Sequence, residues 1–486
     1  MGYLLDYLLL QRQAIQRDHQ PFVAAGDVDN IAEKPLALMR IVVVSSIRNG
    51  AGNKKDKSMH QVTSRREFLG GGAALLTALG WEGCVSIPDG GKTLPPWRPG
   101  LMDLHFIYTG RGENMFYRLP DGTSVLNDVG EFYRPSELKL GTVLLPSAER
   151  LGGDWVCRYL HRIYPEKEID YTVFSHWHLD HVGHASWDRM EDPRGAFPWR
   201  KTPDGRRVNG FLCVAEDFRL RRCLDHQYPN RGMYGTHDSA LELFEGWIRS
   251  AQASGTQVEP FRVGALDQIR LVRDPAAYAG KFSIRNVCAN AVAWDGRDGT
   301  IDFGAEHVAA GGKVLPQNTL SATFLITYGK FSYYASGDIQ TQTFTRKDGS
   351  SVDYETHLGS LLGPVTVCKM GHHGCSNAMG DGLVRAVRAD AYVSCMWCPW
   401  QASQPVLTRL AATPSHVTGA RPLLLPQLMS PIQREWFETR KESLPFSAPA
   451  VHVVIRVPPG GESYHVYLLD ARDEEMRVVA EFERKA

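Results

Sequence analysis

The chain has no net charge, no apolar run near its N-terminus long enough to span a membrane, and few cysteines, and each lack narrows the possibilities. Lys plus Arg and Asp plus Glu balance at 54 each, so there is no global basic field to hold nucleic acid, and no stable nucleic-acid complex is expected. The apolar segment at residues 68–81 is well short of the about 20 residues a transmembrane helix needs, which predicts no transmembrane domain in the mature protein. Only nine cysteines occur in 486 residues, and all but one lie beyond Cys84. An oxidising compartment would permit pairs among them. The closest pair, in Cys395-Met396-Trp397-Cys398, lacks a thioredoxin-like βαβ context and reads as a local bridge or two buried thiols.

The N-terminal region carries an address. Ser64-Arg65-Arg66-Glu67-Phe68-Leu69 precedes a mildly apolar, small-residue run over 70–79, and this pattern resembles a twin-arginine export signal. A short buried helix behind a basic cap is the alternative, but three consecutive glycines make a poor helix interior. Residues 1–58 therefore read as a mis-called N-terminal extension, with Met59 starting a compact leader over 59–87 and a Pro/Gly-rich linker over 88–100. The expected partner is the twin-arginine export machinery and the expected location periplasmic or secreted. Lipidation at Cys84 is a weaker alternative, because Trp81 and Glu82 fit a lipobox badly.

Beyond the linker, residues 103–108 alternate like a strand, and strands follow over 114–118 and 124–128 around the turn Pro120-Asp121-Gly122. The third ends in an acid and a glycine, Asp128 and Gly130. Residues 148–163 read as a helix and 171–175 as a buried strand. Residues from about 190 to 300, rich in polar and aromatic side chains, are expected to form an insertion of helices and loops. Strand-like runs return at 322–328, 331–336 and 365–370. Two final strands, 451–457 and 464–469, flank Pro458-Pro459-Gly460-Gly461, a hairpin by its turn chemistry, before a tail over 471–486.

Ser175-His176-Trp177-His178-Leu179-Asp180-His181 sets three imidazoles and a carboxylate within six positions, just past a predicted strand, where active-site loops commonly sit. Neutral imidazole and carboxylate suit Zn²⁺, Fe or Mn²⁺, and an open coordination position lets a bound water ionise near neutral pH. The bland alternative is a histidine-rich surface loop. Gly337-Asp338 and His372-His373-Gly374 each end a further predicted strand and add another acid and imidazole by the same geometry. Alone, Asp338 would read as a turn residue or helix cap; the ordered series changes that. His184 reads as a surface histidine at a helix start or a contact beside the cluster. His105, His161, His416, His452 and His465 have no motif around them and default to structural roles. Trp397 and Trp400 either line a substrate entrance or pack as core beneath a loop.

A strand ending Asp-x-Gly, then His-x-His-x-Asp-His, Ser-Gly-Asp and His-His-Gly, is the order found in the metallo-β-lactamase fold, which this chain resembles over approximately 101–470. The resemblance implies an α/β protein built as an αββα sandwich with an insertion, acting as a metal-dependent hydrolase. The spacing is most similar to the hydrolase domain of bacterial DNA-uptake (competence) channel proteins, through Asn318-Thr319-Leu320-Ser321 before Ser336-Gly337-Asp338, and through Met370-Gly371-His372-His373-Gly374. It implies two divalent ions, with zinc expected and Mn²⁺ or Fe as alternatives. His176 and His178 would hold one ion, Asp180 and His181 the other, with Asp338 bridging and one of His372 or His373 completing the second site. Asp180, Asp338 and His373 would assist the reaction, and Asp128, with His184, would support the ligand loop. Many family members supply a further histidine before the bridging acid, and no motif selects it among His226, His237 and His307. The implied chemistry is attack of a metal-held hydroxide on an ester-type bond of a small-molecule or phosphodiester substrate. A lactone, β-lactam or carboxylic ester is the alternative, since fold does not fix substrate. A non-catalytic protein that binds an envelope polymer is the reading of another class, opposed by the retained ligand set. An iron-dependent oxidoreductase would use similar ligands but lacks an evident flavin partner domain.

Overall fold

The computed structural model describes residues 91–131, 144–183, 200–201, 207–230, 240–442 and 444–486. The expected extension and export signal, Cys84, His184 and His237 lie outside the described residues.

Two large mixed sheets carry the architecture. The first orders its nine strands Val478–Lys485, Ser463–Asp470, Val451–Val457, Met102–Phe106, Asn114–Arg118, Ser124–Val129, Glu168–Phe174, Arg219–Asp225 and Gln257–Pro260. The second orders its eight Thr300–Asp302, Val292–Trp294, Phe282–Ala289, Thr323–Tyr328, Phe331–Ala335, Val367–Lys369, Ala391–Ser394 and Leu423–Pro426. In each sheet one part is antiparallel and the other parallel. The switch to parallel falls at Ser124–Val129 in the first and at Phe331–Ala335 in the second.

The sheets pack face to face. Tyr117 and Tyr333 bring their hydroxyls to 3.1 Å, and the Phe106 and Tyr333 rings meet edge-on at 5.8 Å. Side chains alternate across a strand, so Tyr334 and Cys368 face the other way, within electrostatic reach of Glu355 on the Tyr354–Leu362 helix. Leu358, Leu383, Val387, Leu407 and Trp436 continue that core into the helices Asp381–Val387, Gln404–Ala411 and Pro431–Thr439. On the far side of the first sheet, Phe116, Leu126, Ile169 and Phe174 pack with Val156 and Leu160 of the Gly152–Ile163 helix and with Phe211 and Val214 of the Phe211–Asp217 helix. Each such large side chain contributes roughly 1.5–3 kcal/mol on full burial. The result is the expected α/β class, an αββα sandwich with helices on the outer face of each sheet.

Two expected boundaries change. The stretch from 190 to 300 is no simple insertion of helices and loops: Arg219–Asp225 and Gln257–Pro260 extend the first sheet, and Phe282–Ala289 and Val292–Trp294 build the second. Charge disguised these strands, because Arg219 pairs with Glu168 and Arg222 with Glu259 across neighbouring strands, which breaks the apolar alternation. Residues 471–486 are no loose tail either, since Val478–Lys485 forms the outer strand beside Ser463–Asp470. Its outward Glu481, Glu483 and Lys485 suit an edge, where charge discourages further pairing. The end of the expected linker docks there too, through Val478 N–H to the Lys92 carbonyl and Leu94 N–H to the Met476 carbonyl. Cys395 and Cys398 are both buried and no disulfide joins them.

Candidate metal centre

Ligands of open α/β sheets gather at the carboxyl ends of parallel strands, and here both sheets present those ends to one place. Ser124–Val129 carries Asp128 as its penultimate residue, Glu168–Phe174 feeds the His176–His181 loop, and Arg219–Asp225 runs into His226. Phe174 is in register with Asp225, so His226 follows its strand as Ser175 follows the neighbouring one. From the second sheet, Phe331–Ala335 leads to Asp338, Val367–Lys369 to His372 and His373, and Ala391–Ser394 to Cys395.

The backbone around this crevice is tightly fitted. Asp128 holds a left-handed φ of 56°, an uncommon conformation for a residue other than glycine, while its carboxylate accepts the Ser175 N–H at 2.8 Å. Gly130 lies so close to the Asp180 carbonyl that a Cβ would sit 1.7 Å from its oxygen. His372 and His373 are both left-handed, at φ 42° and 54°. The pair is held by Ser394 Oγ–H and Ala402 N–H donating to the His373 carbonyl and by Cys375 N–H donating to that of His372. Consecutive strained residues persist only where surrounding contacts over-determine them, a pattern concentrated at functional sites.

Asp338 is the hub. Its Oδ2 lies 3.0 Å from His181 Nε2, 3.2 Å from His373 Nε2 and 3.9 Å from His176 Nε2. Asp180 Oδ2 is 3.1 Å from His373 Nε2, and His178 Nδ1 is 3.0 Å from His176 Nε2. Two nitrogens sharing one tetrahedral zinc ion sit about 3.3 Å apart, so this last spacing fits a common ion. The other nitrogen of each buried imidazole is engaged away from the hub. His181 Nδ1 meets Asp128 Oδ2 at 3.0 Å, His373 Nδ1 meets the Cys395 carbonyl at 2.8 Å, and His176 Nδ1 meets Ser175 Oγ at 3.0 Å. Such partners fix the tautomer and turn each Nε2 inward, as metal-bound histidines require. Glu113, His181, Asp338 and His373 offer ligand atoms all within 4.8 Å of one another.

The electrostatics suit a cation. Burial would push Asp338 up, but His181, His373 and Lys369 outweigh it and hold the carboxyl well below its usual range. Burial would push His181 down, yet Asp338 and Asp128 raise it to about 10. Burial, followed by the neighbouring His181, His178 and His226, drives His176 well below its usual value.

Of the residues expected from the sequence, the structure gathers His176, His178, Asp180, His181, Asp338 and His373, with Asp128 behind His181. His372 turns outward, its Nδ1 on Asn377 Oδ1 at 2.7 Å; His373 is the one facing the acids. Among the candidates for a further histidine, His226 is buried, lies tilted against the Trp177 ring with centroids 5.5 Å apart, and acts on His176. His307 instead accepts the Thr345 N–H elsewhere in the second sheet's neighbourhood. Trp397 donates its indole N–H toward His373 Nε2 at 3.4 Å, which puts it on the wall of the crevice. Ser321, from the Asn-Thr-Leu-Ser motif, accepts the Asp338 N–H at 3.1 Å. Glu113 and Lys369 are additions that the motif reading missed. Their signal was a lone lysine in an otherwise buried strand, since a fully buried ammonium requires a partner.

No family model and no curated protein matches the chain. Among solved structures, a mutant of CmlA beta-hydroxylase is similar with a TM-score of 0.33 at 12% identity, covering 68% of this chain and 53% of that one. This chain thus spans about half of that relative, and a likeness this weak says nothing about activity.

Proposed function

We propose that this chain is a metal-dependent hydrolase whose centre takes two divalent ions, zinc first. One observation supports the reading above all: three buried imidazoles have their outer nitrogens on protein partners and their inner nitrogens around one shared carboxylate, Asp338. His176, His178 and His226 would hold one ion, Asp180, His181 and His373 the other, with Asp338 between them. The bound ions would supply a hydroxide from water and stabilise developing oxyanion charge. The chain's own contribution is orientation. Asp128 and the Cys395 carbonyl lock His181 and His373, Trp397 shields the His373 side, and Asn377 steadies His372 beside the crevice.

An ester-type bond is the proposed target, with a phosphodiester ahead of a lactone, β-lactam or carboxylic ester, because paired cations clamp a phosphoryl group. Elemental analysis of the full chain, beside Asp338→Ala and His178→Ala, should find two ions in the parent and fewer in both variants. Bis(4-nitrophenyl) phosphate should then be cleaved faster than a lactone; the opposite preference transfers the proposal to acyl substrates. A folded parent that takes up no Zn²⁺, Mn²⁺ or Fe²⁺ refutes the hydrolase and leaves a non-catalytic binding protein. Export by the twin-arginine machinery is proposed from residues 64–79 alone. Cell fractionation of Arg65→Lys/Arg66→Lys should show the precursor retained in the cytoplasm.

A further inference from the structure

Glu113 and Lys369 lie at the floor of the centre, both fully buried. Glu113 brings a carboxylate close enough to His181, Asp338 and His373 to serve as a ligand, and its Oε1 has no hydrogen-bond partner among the described residues. Its position points to a different role. Glu113 Oε2 is 3.3 Å from His373 Nδ1, the nitrogen that already faces the Cys395 carbonyl, whereas Nε2 on the opposite side of the ring meets Asp180 and Asp338. Glu113 is therefore behind His373. The same Oε2 lies 2.8 Å from Lys369 Nζ. That ammonium also donates to the carbonyls of Gly337 at 2.6 Å and Met370 at 3.2 Å, and stands 3.5 Å from Asp338 Oδ1. Asp338 Oδ2 is the oxygen turned toward the histidines.

We propose that Glu113 and Lys369 are a positioning ion pair beneath the metal centre, not ligands: Lys369 draws Glu113 behind His373 and takes Asp338 by Oδ1, so that His373 Nε2 and Asp338 Oδ2 are presented to the ions. This rests on the metal-centre reading. The pair also keeps the charge of the centre favourable to anions, because Lys369 cancels Glu113 and leaves Asp128, Asp180 and Asp338 to face two divalent ions. Each charge needs the other. Without Lys369, Glu113 is an uncompensated carboxylate free to swing toward an ion; without Glu113, Lys369 competes with the ions for Asp338.

The test compares Glu113→Gln, Lys369→Met and the double variant in the full chain. Zn²⁺ affinity is read by competition with a chromophoric chelator, and coordination by the absorption bands of bound Co²⁺. Each single change should weaken Zn²⁺ binding roughly 10- to 100-fold, as lost supporting contacts do. The number of bound ions should stay at the parent's value, and the Co²⁺ bands of Glu113→Gln should stay in place. The double variant should recover most of the lost affinity. Loss of one ion in Glu113→Gln, or a band shift like that of Asp338→Asn, makes Glu113 a ligand and overturns the proposal; so does a double variant in which the two losses simply add. If the single variants unfold, a double variant that folds supports the pair, and one that fares no better overturns it. A parent that binds no metal refutes the hydrolase instead, and the pair is then judged by the same cycle on metal-free unfolding.

Discussion

Gly130→Ala adds a single methyl group beside the proposed metal centre without altering any of its proposed ligands. The new Cβ would lie 1.7 Å from the Asp180 carbonyl oxygen, 2.1 Å from its carbon and 2.8 Å from His181 N. Relaxed contact needs about 3.5 Å, so one backbone must retreat by well over an ångström. Three hydrogen bonds resist that movement: Glu113 N–H to the Asp180 carbonyl, Gly130 N–H to the Glu113 carbonyl, and Glu131 N–H to the Leu179 carbonyl. The φ of Gly130 is not left-handed, so the effect arises from contact and not from backbone conformation. Overpacking costs about 1–3 kcal/mol, and a lost buried hydrogen bond adds about 1 kcal/mol; a loss of roughly 2–4 kcal/mol is expected. Displacing Asp180 by 1 Å should also lower turnover on the order of 100-fold. Urea unfolding of the metal-free chain and metal analysis measure the two effects separately. Gly246→Ala is the control, in the Ala240–Ala253 helix with nothing within 4 Å of its Cβ, and should gain up to about 1 kcal/mol. If Gly130→Ala matches that control in stability and metal content, the argument for close packing of this loop is wrong.

Other measurements probe different parts of the fold. Burial lowers His452 to about 4, and its Nδ1 accepts the Tyr108 N–H at 3.0 Å, which only the neutral ring can do. The unfolded chain therefore binds the extra proton, and stability is lost as pH falls from about 6.5 toward 4, by about 3 kcal/mol. His452→Asn should abolish that loss in urea titrations compared between pH 7.5 and 4.5; a parallel pH dependence in the variant contradicts it. Glu355 has the opposite sign. Burial raises it to about 7 despite the Gly380 and Met379 N–H groups and Thr341, so the folded chain binds the extra proton and stability falls by about 3 kcal/mol as pH rises from about 4.5 to 7. Stability of Glu355→Gln relative to the parent should therefore improve across that window, and a flat difference curve refutes the shift. The two windows overlap and offset, so a level parent profile is no evidence against either. Chelation should lower the melting temperature, and Zn²⁺ at 1,000 times its Kd should restore about 4 kcal/mol; a melting temperature indifferent to zinc contradicts a built site.

Legibility followed the apolar pattern. The strands at Asn114–Arg118, Thr323–Tyr328 and Val451–Val457 were visible because one or both faces are continuously apolar, and the hairpin from Val451–Val457 to Ser463–Asp470 because Pro and Gly mark its turn. Arg219–Asp225 and Val478–Lys485 were hidden for a shared reason. Both lie toward the margins of the first sheet, where alternate positions reach solvent and carry charge, as in Arg219-Leu220-Arg221-Arg222 and Glu481-Phe482-Glu483-Arg484. A strand with one wet face looks like a loop when its polar half is read without its partner.

The centre divided along a different line. Groups that share a short loop, His176 to His181, could be seen together, and Asp338 and the His372-His373 pair followed from the order of the motifs, the choice of His373 needing the fold. His226, Glu113 and Lys369 could not, because their relevance is created by strand pairing alone. His226 joins through the register of Phe174 with Asp225, and Glu113 reaches Lys369 across the two sheets. Asp128 shows how both kinds of information combine. Its Asp-x-Gly motif marks a strand end, but its function depends on two features that only the fold supplies: its contact with His181 Nδ1 at 3.0 Å, and the Gly130 that lets the Asp180 backbone pass beside it. The glycine is therefore as much part of the signature of the proposed metal site as the acid, since replacing either would move a proposed ligand. One removes the partner that orients His181, and the other pushes away the chain segment that carries Asp180.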